Sequence, residues 1–552
     1  MKILAISLLR AGDLVMTTPA LQGLKKRYPG AEIHLLTHKQ NQGILPILPM
    51  VDVAHYIDRK QIQDDLISAS APLLRPYDDV KNIVDNLNGE KYELIINYTQ
   101  TRFSAWLLGL VSGDVKIGMS FDQRGQVNFG SPWFRYINDF VAAGEGRPLN
   151  YSDIFYFGSA LDESPEPVTL SETEKGRAEI NELEFLDRPF ILVQPFTSDD
   201  KKNWGVEFFV DTLALIHRLD PKIEFVASGA PFEKDSLLDF QSRCANQGVT
   251  LHTALCSFEG AFSLIKRAKG IIVGDTCLKH MAAGSDAKVI ELSLGSSHLY
   301  KTGAYKKNAV ILQPKVSCLP CPHRNPCQFT EHMCAKNLVP EIVAPVVTQL
   351  LMNNWEGIRA IASEFADEID VFRTFKLGGI WSAVNLADSQ SAVEQALESV
   401  SWKFLLSRTN KINLFPFGSV GSELGLFFQE AAVALTADEF QEKARSLESR
   451  LMAQDEDLLK LQMNFSQKLR TENGDLLPFI KEYGDMALAM PWLQDSSFGF
   501  LVKESLQLAE TKNHTDFSMI RRLQTIIEQA YEQNKIKLKL LRSVRMDDVE
   551  AR

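Results

Sequence analysis

Apolar residues fall in short unbroken runs through the first two thirds of the chain and at helical spacing through the last third. KILAISL (2–8), EIHLLT (32–37) and ELIINY (93–98) read as buried strands, and helical runs separate them. The same alternation resumes with FILVQP (190–195), KIEFVAS (222–228), GIIVGD (270–275) and KVIELSL (288–294). Strands alternating with helices predict parallel sheets. The pattern therefore predicts an α/β architecture of two Rossmann-like blocks, residues 1–165 and 187–340. Residues 166–186 belong to an acidic, proline-containing stretch and read as the link between them. Pro340-Glu341 opens a further helix, expected over 341–354, and strand signals nearly vanish over 355–552.

In that last segment Thr436 and Glu439 form a capping-box pattern. Phe440, Ala444, Leu447, Leu451, Leu458, Leu461, Phe465 and Leu469 then follow three-and-four spacing, with Gln454 at the missing step. This predicts one long amphipathic helix in an all-α extension. A wall of a helical bundle and an intermolecular coiled coil both fit such a stripe, so the tail is also where an oligomer would form.

Two strand-to-helix junctions stand out. Ile271–His280, IIVGDTCLKH, is a buried strand that turns at Asp275-Thr276 into a helix. Near the amino terminus, strand 2–8 turns through Leu9-Arg10-Ala11-Gly12-Asp13 into another. In open α/β sheets, ligands bind outside the carboxyl ends of strands. Free N–H groups at a helix start suit phosphate there. Two such junctions, each with a carboxylate, predict two domains facing one cleft.

Charge and hydropathy narrow the choice. The 552 residues carry a formal net charge of −11, which argues against a general nucleic-acid binder. No apolar run reaches the roughly 18–20 residues that span a bilayer. Arg10 and Asp13 interrupt the N-terminal apolar run, so it reads as a strand and not a signal peptide. The expected location is the cytoplasm, at most at the inner face of the inner membrane.

ILAISLLRAGDLVMTTPALQGLKKRYPGAEIHLLT (3–37), QPFTSDDKKNW (194–204), SGAPFE (228–233), DTCLKH (275–280) and Thr302-Gly303 occur in that order. Together they resemble the glycosyltransferase family 9 heptosyltransferases over residues 1 to about 350. The resemblance implies a GT-B fold, with the helix near 340–353 crossing back to the first domain. It implies a metal-independent, inverting sugar transfer with no cofactor required for catalysis. Asp13 would be the catalytic base. Thr197, Lys202 and the helix start at Thr276-Cys277 would hold the donor diphosphate, where N–H and cationic donors stabilise developing charge. Lys202 is preferred to Lys201 because Lys-x-Trp then matches the family. Glu233 resembles the residue that binds the nucleoside ribose, and Asp275 and His280 resemble donor-site residues. Taken without the resemblance, Asp13 reads as a helix cap, the lysines as a solvated pair, Glu233 as a helix-start glutamate and His280 as a packed histidine.

Cys277 departs from the family, which has glycine there. A side chain takes up room that glycine leaves for phosphate. Three readings follow: a reshaped pocket, a tolerated cysteine that points away, or a decayed site. The surviving motif residues favour tolerance.

Cys318, Cys321, Cys327 and Cys334 cluster within 17 residues. In a cytosolic protein this reads as a structural Zn or Fe site more than as disulfides, with His323 and His332 as spare ligands. A reduced, metal-free loop is the other reading. Glycine-rich 418–425 reads as a loop. The basic run 535–545 reads as a solvated helix end, with contact to anionic lipid as the alternative. Arg10, Arg102 and Arg124 lie in the expected acceptor domain.

The resemblance therefore implies transfer of heptose from ADP-heptose to a lipopolysaccharide core acceptor, lipid-linked at the membrane face. A protein acceptor is the first alternative. A non-catalytic GT-B scaffold with a helical interaction tail is the second.

Overall fold

The computed structural model describes the chain except residues 68–73, 141–148, 182, 184–185, 323–324, 410–436, 470–475, 495, 513–516 and 544–552. Glycine-rich 418–425, Thr436 and His323 lie outside the described residues.

Three apolar runs near the amino terminus become β1 (Lys2–Ser7), β2 (Glu32–His38) and β4 (Tyr92–Asn97). With β3 (Val53–Ile57) and β5 (Gly113–Gly118) they form a parallel sheet in the order β3-β2-β1-β4-β5. Lys2 lies opposite Glu32, and Ile3 opposite Leu94. A short antiparallel ribbon, β6 (Ser120–Phe121) with β7 (Val127–Asn128), follows. Leu4, Ile6, Leu36, Ile95 and Leu107 share one core on this sheet.

The second sheet is built from β8 (Phe190–Gln194), β9 (Glu224–Gly229), β10 (Leu251–Leu255), β11 (Gly270–Val273), β12 (Lys288–Leu292) and β13 (Val310–Pro314). Their order is β10-β9-β8-β11-β12-β13, all parallel. Both sheets thus have the doubly wound order, first strand central and a reversal beside it. This is the α/β architecture expected of a GT-B fold.

Three findings differ from the sequence reading. First, the region expected to be wholly helical begins with a hairpin. β14 (Ile369–Leu377) and β15 (Ile380–Asn385) add to β13 as antiparallel strands, making one sheet of eight. Gly378 and Gly379 turn the hairpin with φ of 56° and 75°. That left-handed pair is what a two-residue hairpin turn requires. The helical region starts at Ser389.

Second, the helix Pro340–Leu351 does not cross back to the first sheet. Its Ile342, Val343, Val346, Val347 and Leu350 are buried in the core of the second, with Phe209 and Leu213. Its apolar face is consumed there.

Third, the stretch read as a linker is partly docked. The helix Glu174–Ile180 is capped by Thr173, whose hydroxyl accepts from Gly176 N–H. Thr173 and Lys175 both bond to Glu259 at 2.7 Å. A Cβ on Gly176 would stand 2.4 Å from the Glu259 carbonyl oxygen, so only glycine allows this approach.

The two sheets belong to one unit, Met1–Arg135 with Asn150–Ala387. Within it, the helix Tyr151–Gly158 joins the layers. Asp153 is buried and accepts from the Tyr305 hydroxyl at 2.6 Å and from Trp381 N–H at 2.8 Å. Asn150 Nδ2 donates to the Gly303 carbonyl at 3.1 Å.

The second unit, Tyr136–Leu149 with Asp388–Arg552, is helical among its described residues. Its long helix Ala437–Leu469 buries Leu447, Leu451, Leu458, Leu461 and Phe465, the stripe expected from spacing. Phe465 meets Tyr483 edge to face at 4.8 Å, and Asn534 Nδ2 donates to the Leu451 carbonyl at 2.7 Å. In the basic run, Ile536, Leu538, Leu540 and Leu541 are buried within this unit. Lys537 pairs with Glu398 and Arg542 with Glu448. Its apolar side is therefore not offered to lipid. No described helix is long and apolar enough to cross a membrane.

Candidate functional site

The order of each sheet reverses beside its first strand, β1 against β4 and β8 against β11. The crevice outside the carboxyl ends at that point is where ligands bind in such sheets. Asp13 follows β1. Thr197 and Lys202 follow β8. Asp275, Thr276, Cys277 and His280 follow β11. Topology alone brings these residues to the reversal points, and the geometry brings the two points together. A Cβ on Gly12 would lie 3.0 Å from His280 Cδ2 and 3.4 Å from Cys277 Cα. The helix Ala11–Met16 therefore packs directly on the helix Cys277–Ala283.

Asp13 is not the N-cap that its bland reading suggests. Arg10 takes that place, and Asp13 is the third helical residue, its carboxylate hydrogen-bonded to the Arg10 backbone. Burial and then the Asp275 charge push its carboxyl above the usual value, outweighing Arg10 and Lys202. A raised carboxyl at a cleft is a better proton acceptor than a free one once it is ionised.

Lys202 and Lys201 part company. Lys202 Nζ is buried and donates to the Asp275 carbonyl at 3.0 Å and to Asp275 Oδ2 at 3.2 Å. Lys201 Nζ turns away, donating to the carbonyls of Pro322 at 3.1 Å and Asn325 at 2.6 Å. The preference for Lys202 has a geometric basis, and neither is a solvated lysine. Trp204 anchors the segment, its Nε1 donating to the Leu338 carbonyl at 2.7 Å.

Thr197 shapes the same loop. Its hydroxyl donates to the Asp199 carbonyl at 2.7 Å, and its N–H is held by Asn203 Oδ1 at 2.8 Å. Its methyl would lie 3.3 Å from a Cβ on Gly274. Asp199 accepts from Ser296 Oγ at 3.0 Å, tying the loop to the turn after β12.

Asp275 is the hub. Burial alone would raise its carboxyl, but Lys279, Lys202 and His280 hold it far below the ordinary range. His280 is kept neutral, its pKa lowered to about 3 by burial and then by Lys279. Among the described residues neither His280 Nδ1 nor Thr276 Oγ1 finds a hydrogen-bond partner, although both are buried. A bound ligand or an ordered water would satisfy them. The Cys277 thiol is pushed up to about 12 by burial and by Asp13, so it stays protonated at neutral pH.

Glu233 stands apart in its bonding. Its Oε2 accepts from Ala230 N–H at 2.7 Å, closing the turn after β9. A Cβ on Gly229 would meet that same oxygen at 2.9 Å. The helix-start role expected from its position is therefore real.

The four cysteines of 318–334 are gathered in space. Burial and the nearby thiols of Cys318, Cys334 and Cys327 raise Cys321 to about 11. All are free thiols. Yet no three His, Cys, Asp or Glu side chains among the described residues stand where they could hold one ion. The Zn or Fe site expected here is therefore not shown among the described residues.

Two residues at the hub were not singled out from the sequence: Lys279, a variable position within DTCLKH, and Glu291. Both are fully buried, and Lys279 Nζ bonds Asp275 Oδ1 and Glu291 Oε1, each at 2.7 Å. A glutamate inside the apolar run KVIEL was the signal available in the sequence.

Residues 80–331 match the family model for glycosyltransferase family 9 (heptosyltransferase). A lipopolysaccharide heptosyltransferase 3 of Escherichia coli is 24% identical over 296 residues, 52% of this chain and 82% of that protein. A second, from strain K12, is 21% identical over 303 residues, 52% of this chain and 81% of that one. Among solved structures, E. coli ADP-heptose lipopolysaccharide heptosyltransferase II matches at 18% identity, covering 64% of this chain and 100% of its own, with a TM-score of 0.47.

Proposed function

From its resemblance to glycosyltransferase family 9, which makes this chain a glycosyl-transferring enzyme, we propose that it moves heptose from ADP-heptose to a lipopolysaccharide core acceptor with inversion. In this reading Asp13 takes the proton from the acceptor hydroxyl. The hydroxyl oxygen attacks the anomeric carbon from the face opposite the diphosphate, and the bond to ADP breaks. Lys202 holds the departing diphosphate with the backbone at Thr276-Cys277, and Thr197, whose hydroxyl donates to the Asp199 carbonyl, shapes the loop that carries Lys202. Cationic and N–H donors aimed at that developing charge stabilise the transition state more than any other group in such a site. His280 is neutral and serves as a hydrogen-bonding group. Glu233 meets the ribose hydroxyls with the carboxylate oxygen that its turn leaves over.

One observation carries the reading: the helix bearing Asp13 packs on the helix start at Cys277, which brings a raised carboxyl beside the Lys202–Asp275 pair and two open buried polar atoms. The relatives' names support the sugar and the acceptor. The test is calorimetry with ADP-heptose, ADP, UDP-N-acetylglucosamine and GDP-mannose, on the wild type and on Lys202→Ala. Selective ADP-heptose binding that Lys202→Ala weakens supports the donor. Transfer to lipopolysaccharide core fragments, read by mass, tests the acceptor. Binding of none of the four nucleotides sinks the proposal.

A further inference from the structure

Behind Asp275 lies a line of alternating charge. Lys202 Nζ meets Asp275 Oδ2 at 3.2 Å, and Asp275 Oδ1 meets Lys279 Nζ at 2.7 Å. Lys279 Nζ also donates to Glu291 Oε1 at 2.7 Å, and Glu291 Oε2 accepts from Ala304 N–H at 2.9 Å. The line begins at the loop after β8, passes through the junction after β11 and ends on the turn at Thr302–Ala304. Lys279 and Glu291 are both 0% exposed.

Stability does not account for such a pair. Fully buried ions give up their hydration, and apolar residues of similar size often serve as well or better. Glu291 sits in a strand buried on both faces, where an aliphatic side chain is the usual occupant. The pair makes sense when the charges are counted. If Lys202 were the sole cation on Asp275, drawing it toward an incoming anion would strand a buried carboxylate beside that anion. Lys279 neutralises Asp275 without Lys202, and Glu291 balances Lys279.

We infer that Lys279 and Glu291 are positioning residues. They give Asp275 a permanent counter-charge, so that Lys202 can turn from Asp275 to the donor diphosphate while Asp275 and the Thr302–Ala304 turn stay fixed. The inference rests on the diphosphate-donor reading of the preceding subsection. Neither residue touches the donor.

A double-mutant cycle on the full chain separates this from a merely structural role, with ADP as the probe. Calorimetry compares wild type, Lys202→Ala, Lys279→Met and the combination. The charge-balanced variant Lys279→Met/Glu291→Gln is measured with and without Lys202→Ala. It removes one buried charge of each sign and keeps an oxygen for Ala304 N–H. It is read by itself if Lys279→Met does not fold. Without Lys279, Lys202 stays on Asp275, so ADP should bind about tenfold more weakly, as losing one charged contact implies. The same change should cost almost nothing once Lys202 is gone. A loss of equal size in both backgrounds, or no loss, overturns the inference and leaves the donor reading standing. Wild type that does not bind ADP, or binds it equally well without Lys202, overturns both.

Discussion

At the scale of single residues, the proposed reaction turns on Asp13. Its carboxyl is raised by burial and by Asp275, while Asp275 itself is held low by three cationic or polar neighbours. Two neighbouring carboxylates thus take opposite protonation tendencies, the pattern by which sites assign a base. Asp13→Asn should lower kcat by about 10²- to 10⁴-fold while ADP still binds, which steady-state rates beside calorimetry will check. The base must be ionised to act, so a raised pKa moves its working range upward. kcat/KM should climb with pH through a midpoint above 3.8, the ordinary aspartate value, and the limb should vanish in Asp13→Asn. No histidine limb near pH 6.5 is expected from His280, whose pKa sits at about 3. Gly12 makes a third residue-scale prediction. A methyl there meets His280 Cδ2 at 3.0 Å, so Gly12→Ala should slow transfer more than it lowers the melting temperature. The site motifs were legible in the sequence, and the resemblance already favoured Lys202 over Lys201, but the partners of the two lysines were not legible. Lys201 and Lys202 are adjacent in the chain, and their partners lie more than 70 residues away.

Among elements, legibility tracked how local the signal was. β1, β8 and β11 are buried on both faces and announce themselves as apolar runs. The β14–β15 hairpin was missed although its Gly378-Gly379 turn is a short-range signal between two runs of strand-forming residues. Asp370, Arg373 and Lys376 break the apolar run of β14 and hide it. The helix Pro340–Leu351 was found, but its docking partner was not, because an apolar stripe does not say which core receives it. Close approach between elements gives a sharp test in the helix Glu174–Ile180. Gly176→Ala would drive a methyl to 2.4 Å from a backbone oxygen. It should destabilise the protein by about 1–3 kcal/mol, seen as a lower melting temperature.

For the molecule as a whole, the chain divides into units that the linear order does not respect. Tyr136–Leu149 belongs with the C-terminal helices, although more than 230 residues separate it from Asp388. Trp402 holds that unit together, stacked on Phe498 at 5.2 Å and edge to face with Tyr136 at 5.0 Å. Trp402→Ala should cost about 3–5 kcal/mol in that unit, the range for emptying a large aromatic site. The proposed ADP site lies wholly in the other unit, so ADP should raise the melting transition of that unit and leave that of the helical unit unchanged. Calorimetric melting with and without ADP distinguishes the two transitions.

The sequence by itself determined the alternation of strands and helices, the two junctions that end in carboxylates, and the amphipathic stripe of the long helix. Each of these rests on side-chain periodicity and turn chemistry within a few residues, which the backbone reads locally. Tertiary structure alone decided that Lys202 faces Asp275, that Lys279 and Glu291 stand behind it, that the helix Pro340–Leu351 stays with the second sheet, and that the hairpin extends that sheet. It also set Asp13 above its usual pKa. These depend on groups far apart in the chain meeting in a medium with little water, where burial and one neighbouring charge outweigh anything that local sequence encodes.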